Sequence, residues 1–458
     1  MRRWSSSERS LTTGSIGPAL LLFALPFLGS SLIQQLYNTV DIIFVSQLVG
    51  TEAAAAVGSS SLIVTCIIGF FTGISIGIGI LTAKAFARKD MVTLTSLIHS
   101  SAGLTLVLGL VFTVIAFIIA PWCLTALQTP PDIFTEALLY IRVYVMGLIP
   151  IVTYNIGAGV LRSLGNSKSP LVYQAIGGVV NVVGNALFIG VFQWGIFGAA
   201  MTTLCSQTVA AGLVVWHLRR FHAPYALMIR RICWSTTVAV QVLRLGVPAA
   251  VQAIVITLSN LIVQGTINGL GIVSIAAFTA YFKVENIIYL PIMAIGQAYA
   301  VFVSQNMGLY DIERIQQGLR ITAGIGIGVT IMLTTVVLGL GTTIFAWFAT
   351  ADDVISLAVQ IAWVAYPFYF IYMVLESFGS AIRGVGNTFA AMVITVVNMC
   401  GIRIVCLYAV MQLYPDPLGV AAVYPLTWAS TAAMLGLYYW WWRRRQTVGA
   451  MVPESGIS

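Results

Sequence analysis

Charged side chains are scarce in this chain of 458 residues. Only 8% of its residues are Asp, Glu, Lys or Arg, whereas 59% are hydrophobic and the mean hydropathy is +0.96. A soluble protein has about 25% charged residues, because its surface has to face water. The composition therefore excludes a soluble enzyme, a disordered chain and a nucleic-acid-binding protein. The surplus of Lys and Arg, 22 against 14 Asp and Glu, lies where membrane topology explains it.

The sequence also lacks the motifs of common catalytic and metal sites. It has no GxxxxGK[ST] phosphate-binding loop and no HExxH. Its three histidines form no cluster within an apolar segment, and its six cysteines are scattered without a CxxC spacing. Neither a metal site of this kind nor a disulfide framework is predicted. We expect no enzyme and no cofactor.

The chain consists mainly of long apolar segments. A helix needs about 20 mostly apolar residues to cross a bilayer. Twelve segments qualify: 18–46, 54–82, 93–120, 135–157, 170–192, 196–217, 240–268, 273–304, 318–348, 354–381, 388–412 and 419–442. We therefore predict an all-α integral membrane protein with twelve transmembrane helices.

The basic residues predict how these helices are oriented. Nearly all of them fall near the two termini and in every second loop, whereas the opposite loops carry acids and no Lys or Arg. Lys and Arg concentrate on the cytoplasmic side of membrane proteins. We therefore expect a multi-pass protein of the cell (inner) membrane with both termini in the cytoplasm. It is expected to be a monomer in contact with the lipid bilayer.

The two halves of the chain repeat each other. An Arg-x-x-Gly-Asn segment at 162–166 recurs at 383–387, and at nearly the same spacing Pro26 and Asn38 recur as Pro248 and Asn260. Each half has six spans, so both halves cross the membrane in the same direction. We predict two parallel six-helix lobes related by a pseudo-two-fold axis along the membrane normal, as in secondary transporters. The predicted divisions are an N-terminal lobe (1–217), a cytoplasmic linker (218–240), a C-terminal lobe (241–445) and a cytoplasmic tail (446–458).

Asp41 in the first span is the strongest candidate for a functional acid. A charged Asp at membrane depth costs roughly 2.5–3.5 kcal/mol, so such residues are usually functional. Gln34, Tyr37 and Asn38 share its helical face. Pro26 lies about four turns earlier, where it is predicted to act as a hinge by bending the helix.

Polar residues in spans 5 and 6 are predicted to meet this acid. Asn181 and Asn185 are spaced i, i+4, and Asn185 lies at a depth similar to that of Asp41. Thr202 and Thr203 in span 6 add hydroxyl groups. We predict that these residues, with Tyr37 and Asn38, form a coupling site for H⁺, or for Na⁺ bound at Asp41. The alternative is that the amides only hold helices together.

The second half carries candidates for a substrate cavity. Tyr369, Tyr372 and Glu376 fall on one helical face of span 10, and Glu285 lies in span 8. Aromatic faces and carboxylates attract organic cations. We predict that these residues, together with Gln34, line a cavity for small organic cations or other xenobiotics. Tyrosines at span ends are also ordinary, so a purely structural role stays open.

Three groups of residues resemble those of a known family. They are Pro26 followed by Gln-Leu-Tyr37-Asn38-Thr-Val-Asp41-Ile-Ile-Phe-Val, the twin turns at 162–166 and 383–387, and Glu285-Asn286 with Pro291. Together with twelve spans in two parallel sixes, they resemble the multidrug and toxic compound extrusion (MATE) transporters over nearly the whole chain. The resemblance implies export of cationic, often aromatic compounds in exchange for Na⁺ or H⁺.

The resemblance is to the bacterial type and falls between two of its branches. In the DinF-like branch, an Asp in span 1 works with an Asn and an Asp in span 5. Asp41 and Asn181 match that pattern, but the second position is Asn185. In the NorM-like branch, acids in spans 7 and 10 contribute to the cation site, whereas span 7 has none here. The coupling ion is left open between H⁺ and Na⁺.

We therefore predict a secondary active multidrug exporter. It would exchange organic cations or xenobiotics for H⁺ or Na⁺ by alternating access, through a rocker-switch motion. A flippase for lipid-linked oligosaccharides or lipids is the nearest alternative, but its pyrophosphate calls for more intramembrane basic residues than Arg142, Lys283 and Arg403. An intramembrane enzyme would need a catalytic pair at one depth, and a channel would need a re-entrant filter segment. The sequence indicates neither.

Overall fold

A computed structural model describes residues 10–221, 224–413 and 415–450, without the side chains of 447–450. The described chain is almost entirely helical, as a bilayer requires when backbone groups have no water to bond with. Its α-helices are α1 Ile16–Leu48, α2 Thr51–Arg88, α3 Met91–Ala126, α4 Pro131–Met146, α5 Leu148–Ser163, α6 Lys168–Asn185, α7 Gly195–Arg219, α8 Thr236–Asn268, α9 Ile272–Gly308, α10 Ile312–Gly339, α11 Gly341–Phe345, α12 Asp352–Ala365, α13 Tyr369–Val385, α14 Thr388–Val396, α15 Arg403–Leu413 and α16 Pro417–Ala450.

Short stretches of other helix types join some of these α-helices. Two are π-helices, at Ala186–Val191 after α6 and at Val397–Ile402 between α14 and α15. Two are 3₁₀-helices, at Ile229–Arg231 and Tyr366–Phe368. Since α6, α12 and α14 continue directly into such segments, each of the three is the first part of a longer apolar helical stretch.

The predicted number of spans is confirmed for the part of the chain that the structure describes. Eleven helical stretches are long and apolar enough to cross a membrane, and the bent pair α4–α5 makes the twelfth. This fourth span, predicted as continuous over 135–157, bends by 51° between Met146 and Leu148. Pro150 explains the bend, because a proline has no N–H to donate to the carbonyl four residues earlier.

The described residues divide into two compact units. The first contains Leu25–Ala253, and the second contains Thr13–Ala24 and the residues from Ile254 onward. Helices α1 and α8 therefore each contribute one part to each unit. Packing, not span order, decides membership of these units, and the predicted lobes and linker stay a prediction. The start of α8 packs on α2, for example, so that residues 236–253 belong to the first unit.

The contact between α2 and α8 depends on glycine. A Cβ atom added at Gly73 would lie 2.3 Å from the backbone nitrogen of Ala250, and one added at Gly77 would lie 2.6 Å from the carbonyl oxygen of Val242. Small residues let membrane helices approach this closely. The two backbones therefore touch without intervening side chains.

We expect Gly73→Ala to destabilise the first unit. The added methyl group would push apart two backbones, and overpacking of this kind costs about 1–3 kcal/mol of unfolding free energy. The matched control is Gly212→Ala, because a Cβ there has nothing within 4 Å. Thermal unfolding of the purified variants is the measurement. A midpoint for Gly73→Ala equal to that of Gly212→Ala would contradict the close contact.

The segment predicted as a cytoplasmic linker packs on the first unit. Tyr225 and Leu227 are buried in its hydrophobic core. The Nε2 atom of His99 in α3 accepts a hydrogen bond of 3.0 Å from the backbone N–H of Met228. The other ring nitrogen, Nδ1, lies 2.8 Å from the carbonyl oxygen of Thr95, which fixes the ring. The linker is thus held by α3 in the part that the structure describes.

Some sequence predictions fall outside the described residues. The first nine residues, which include three of the arginines used to orient the chain, lie there, and so do 451–458 of the predicted tail. Helix α16 continues through 446–450, where the tail was expected to begin. The cytoplasmic placement of both termini stays a prediction.

Candidate functional site

Asp41 lies among the asparagines that the sequence predicted. Its Oδ1 atom accepts a hydrogen bond from Nδ2 of Asn185, and its Oδ2 atom accepts one from Nδ2 of Asn181 at 3.4 Å. Both asparagines are fully buried. Amide N–H groups that aim at a carboxylate stabilise its charged form and fix its position. The structure therefore brings α1 and α6 together through this acid.

Local sequence explains how the helices reach this contact. Gly178 of α6 lies beside Ile33 of α1, and Gly184 of α6 lies beside Thr202 of α7, where an added Cβ would come within 2.9 Å of its methyl group. Directly after Asn185, the helix widens into the π-helix Ala186–Val191. Such π-segments often accompany functional sites, since they shift the register of the residues around them.

Tyr37 has partners that sequence reasoning missed. Its hydroxyl oxygen accepts hydrogen bonds from Nε2 of Gln174 at 2.8 Å and from Nε2 of Gln207 at 3.3 Å. Gln174 is seven residues before Asn181, so the two occupy the same face of α6. That spacing was a usable signal. Gln174, Asn181 and Asn185 thus form one polar stripe on α6, and Gln207 of α7 adds a second donor to Tyr37.

These residues face a cavity of about 270 Å³ inside the first unit. Tyr37, Asn38, Asp41 and Thr203, which the sequence analysis assigned to the coupling site, line it, and so does Gln34, which was assigned to the substrate cavity with Glu285. The lining also includes four residues of α4 and α5 that the sequence analysis did not single out: Tyr140, Tyr144, Tyr154 and Asn155. The cavity therefore has polar and apolar walls and one acid among its lining residues.

Thr202 takes a different place from its neighbour Thr203. It is fully buried against Gly184, and its hydroxyl donates to the carbonyl oxygen of Gly198 at 2.9 Å. It does not line the cavity. Thr203 does, and its hydroxyl donates to the carbonyl oxygen of Ala199 at 3.3 Å, which leaves its lone pairs available.

The oxygen atoms around Asp41 suit a small hard cation. Hard cations take carboxylate, amide and hydroxyl oxygens as ligands. Asn185 Oδ1 is buried without a hydrogen-bond partner among the described residues. Within the described chain, no three His, Cys, Asp or Glu residues come together as a transition-metal site would require. The donor set thus fits Na⁺, and a proton on Asp41 would serve equally to neutralise its charge.

A second acid lies in the second unit among aromatic rings. Glu285 of α9 accepts a hydrogen bond from the hydroxyl of Tyr369 in α13. The ring of Trp428 lies 4.7 Å from that of Tyr369 and 5.4 Å from that of Tyr372. Tyr289 lies 5.7 Å from Tyr372. The predicted substrate residues Glu285, Tyr369 and Tyr372 are thus in one cluster.

The carboxylate of Glu376 is paired with an arginine. Its Oε1 atom accepts hydrogen bonds from Arg383 at 2.5 Å and from Ser380 at 2.9 Å, and both charged side chains are largely buried. The acid that accepts a hydrogen bond from one of the predicted tyrosines is Glu285. The predicted aromatic–acidic face therefore has its rings where expected, whereas its carboxylate at 376 is paired with an arginine.

We expect Glu376→Gln to affect stability and not the choice of substrate. Removing one partner of a buried ion pair leaves the other charge unpaired, which costs about 3–5 kcal/mol. The measurements are the thermal midpoint of unfolding and the ratio of the affinities of the protein for two different cationic dyes. The double variant Glu376→Gln/Arg383→Gln should recover much of the lost stability. A changed dye preference in a normally stable Glu376→Gln protein would show instead that this acid contacts substrate.

Pro26 lies where α1 passes from one unit to the other. The second unit includes α1 up to Ala24, and the first begins at Leu25. The carbonyl oxygen of Pro26 accepts a hydrogen bond of 2.9 Å from the hydroxyl of Ser30. As proline cannot donate to the carbonyl four residues before it, the helix is weakened at this point.

Comparisons with known proteins agree with this architecture. The MatE family model matches residues 26–187 and again 248–409, two matches that begin 222 residues apart, as the internal repeat predicts. The probable multidrug resistance protein YpnP of Bacillus subtilis is 26% identical over 396 residues, which are 86% of this chain and 88% of that protein. The probable multidrug resistance protein NorM of Thermotoga maritima is 22% identical over 408 residues, 86% of each chain.

Solved structures show the same fold. One described as the outward-facing conformation of a multidrug resistance MATE family transporter of the MOP superfamily has a TM-score of 0.86 at 20% identity, and covers 96% of this chain and 97% of that one. The two family matches together span most of the sequence. The chain therefore belongs to the MatE family and is a multi-pass membrane transporter of the MATE type.

Proposed function

We propose that this transporter exports small organic cations and other xenobiotics in exchange for H⁺ or Na⁺. The single observation that carries the proposal is Asp41, an intramembrane acid that is held by Asn181 and Asn185 and lines the cavity of the first unit. Burying an acid inside the membrane costs free energy, and acids found there are usually functional. Relatives named as multidrug resistance proteins support the drug substrates.

Asp41 couples the ion to movement of α1. Binding of H⁺ or Na⁺ neutralises the carboxylate, which weakens its hydrogen bonds with the two amide donors. Released from these contacts, the part of α1 beyond Pro26 can bend at the proline. A ligand shifts a conformational equilibrium only by its differential affinity for the two states. The ion supplies that difference here, and alternating access results from the bend.

The cluster around Glu285 binds the organic cation. A planar cation gains from the ring faces of Tyr369, Tyr372 and Trp428 and from the carboxylate of Glu285. The chain acts as a monomer in the inner membrane. A lipid-linked oligosaccharide flippase has weaker support, because Arg142 stacks on Phe117 at 4.8 Å and leaves few basic groups inside the membrane for a pyrophosphate.

Dye efflux from proteoliposomes tests the proposal. Purified protein is reconstituted, loaded with ethidium, and given a Na⁺ gradient or a pH gradient separately. We expect one of the two gradients to accelerate ethidium efflux over protein-free liposomes. Equal efflux rates with and without both gradients would contradict ion-coupled export.

A further inference from the structure

The segment that joins α7 to α8 crosses the beginning of α3 and touches it closely. The backbone N–H of Met228 donates to His99 of α3. A Cβ atom added at Gly103 of α3 would lie 2.3 Å from the carbonyl oxygen of Cys233. Residues 224–235 are therefore held against this helix. We call them the connecting segment.

An apolar cavity of about 230 Å³ lies between the connecting segment and helices α3, α5 and α7. Its walls are mainly Ile, Val and Leu side chains. An apolar cavity of about 150 Å³ already accepts a molecule the size of benzene, so this one has room for part of an acyl chain. Two of its lining residues, Leu106 and Ile229, are also exposed on the surface of the first unit. The cavity is thus reached from outside the protein.

One hydroxyl group in this cavity has no partner. Ser101 of α3 lines the cavity and is 1% exposed, and its Oγ atom forms no hydrogen bond with any described residue. A buried hydroxyl of this kind costs free energy unless an acceptor meets it. An ester carbonyl on a molecule that enters the cavity would be such an acceptor.

A second hollow continues the cavity towards the beginning of α3. It is an open cleft of about 480 Å³, and α3 lines it with residues between 91 and 99, whereas α3 lines the apolar cavity with residues between 98 and 106. In the connecting segment, Arg231 lines the cleft and the next residue, Ile232, lines the cavity. A charged end and an apolar end therefore follow each other along α3, as they do in a phospholipid.

The charge beside the cleft is positive. Residues 217–235 contain four arginines and no acid. Arg230 and Arg231 are exposed, and neither forms an ion pair with another described residue. The predicted orientation places this end of α3 at the cytoplasmic surface, where the anionic lipids of a membrane attract Lys and Arg. Trp234 is also exposed, as is usual for tryptophan at the level of the lipid headgroups.

We propose that this site binds an anionic phospholipid of the cytoplasmic leaflet. The phosphate lies in the cleft beside Arg231, an ester carbonyl accepts a hydrogen bond from Ser101, and one acyl chain enters the apolar cavity. The bound lipid fastens the connecting segment to α3. This inference goes beyond drug export, and it depends neither on the substrate nor on the coupling ion.

Photolabelling with two lipids that differ only in their headgroup tests the proposal. The full chain is placed in phosphatidylcholine nanodiscs with a small fraction of phosphatidylglycerol or phosphatidylcholine that has a diazirine in one acyl chain. After illumination, labelled residues are mapped by mass spectrometry. We expect labelling of 98–106 and 227–232 to be at least about fivefold stronger with phosphatidylglycerol. Equal labelling of these residues by the two lipids would indicate ordinary bilayer contact and overturn the proposal.

Variants of the cleft and of the cavity separate the two parts of the site. Arg231→Gln should lower phosphatidylglycerol labelling about fivefold, the usual contribution of one basic residue near an anionic headgroup. The matched control Arg320→Gln removes an exposed arginine of α10 and should leave the labelling unchanged. Ala102→Phe fills the cavity and should remove labelling by both lipids there.

Ser101→Ala keeps the test decisive if Ala102→Phe does not fold. It removes the hydroxyl without changing the packing, and loss of one hydrogen bond should lower the labelling about fivefold. Unchanged labelling in both Arg231→Gln and Ser101→Ala would overturn the proposal. Displacement of the label by excess ethidium would also overturn it, because the cavity would then be a drug site. Since no gradient is applied, failure of ion-driven efflux would leave these results as they are.

Discussion

Asp41→Asn abolishes ion-driven ethidium efflux in our account. Asparagine has nearly the same size and still contacts Asn181 and Asn185, so the helices can stay packed. It cannot bind a proton, however, and it lacks the negative charge that attracts Na⁺. The expected efflux rate is that of protein-free liposomes. The measurement is dye efflux from proteoliposomes under whichever gradient drives the wild type.

The control for Asp41→Asn is Asp132→Asn. Asp132 is exposed in the first turn of α4 and does not line the cavity. It should retain wild-type efflux, and both variants should purify with wild-type yield and thermal midpoint. Full gradient-driven efflux by Asp41→Asn would contradict the assignment of this acid as the coupling group.

Glu285→Gln is expected to weaken the binding of organic cations without uncoupling the ion. The variant keeps a hydrogen-bond acceptor for Tyr369 but loses the charge that faces the rings. Loss of one charged interaction costs about 1.5–3 kcal/mol, which corresponds to at least about a tenfold rise in the KM for ethidium. Initial efflux rates over a range of ethidium concentrations measure this. The maximal rate should stay within about twofold, since Asp41 is unchanged.

Glu313→Gln is the matched control for Glu285→Gln. Glu313 is exposed in the first turn of α10, so its loss should leave the KM as in the wild type. If Glu285→Gln kept the wild-type KM and instead lost its gradient dependence, Glu285 would be a coupling acid. The proposal that Asp41 couples the ion while Glu285 binds the organic cation would then be wrong.

The helical periodicity of polar residues indicated which side chains lie together around Asp41. Asp41 and the pair Asn181 and Asn185 were found because each is polar in an apolar span and because the spacings place them on one face. The same rule applied to Gln174 would have found the partner of Tyr37. Thr202 shows the limit of the rule, because two consecutive threonines of α7 point in different directions. Only the packing of Thr202 against Gly184 decides which of the two faces α6.

The pairing of Glu376 with Arg383 was missed for a reason that concerns helix ends. Hydropathy ended the tenth span at 381, so Arg383 was assigned to a loop, whereas α13 continues to Val385. Residues seven apart on a continuous helix share a face. Glu376 and Arg383 therefore lie on the same face of α13 and form an ion pair. Hydropathy reports where lipid contact stops and not where a helix stops.

The bounds of the two units do not follow from hydropathy, for a related reason. An apolar helix looks the same whichever neighbour it packs on, so the passage of α1 and α8 from one unit to the other leaves no compositional signal. Glycines at close contacts, such as Gly73 against Ala250, carry that information only when the partner is known. Tertiary packing, not span identity, decides the bounds.

Ion movement measured during dye export tests the role of Asp41 most directly. Proteoliposomes with the wild type or Asp41→Asn are given ethidium together with an entrapped indicator for H⁺ or for Na⁺. We expect that wild-type ethidium movement is accompanied by one of these ions moving in the opposite direction, and that Asp41→Asn loses both movements together. Ethidium movement coupled to the same ion in Asp41→Asn as in the wild type would contradict it.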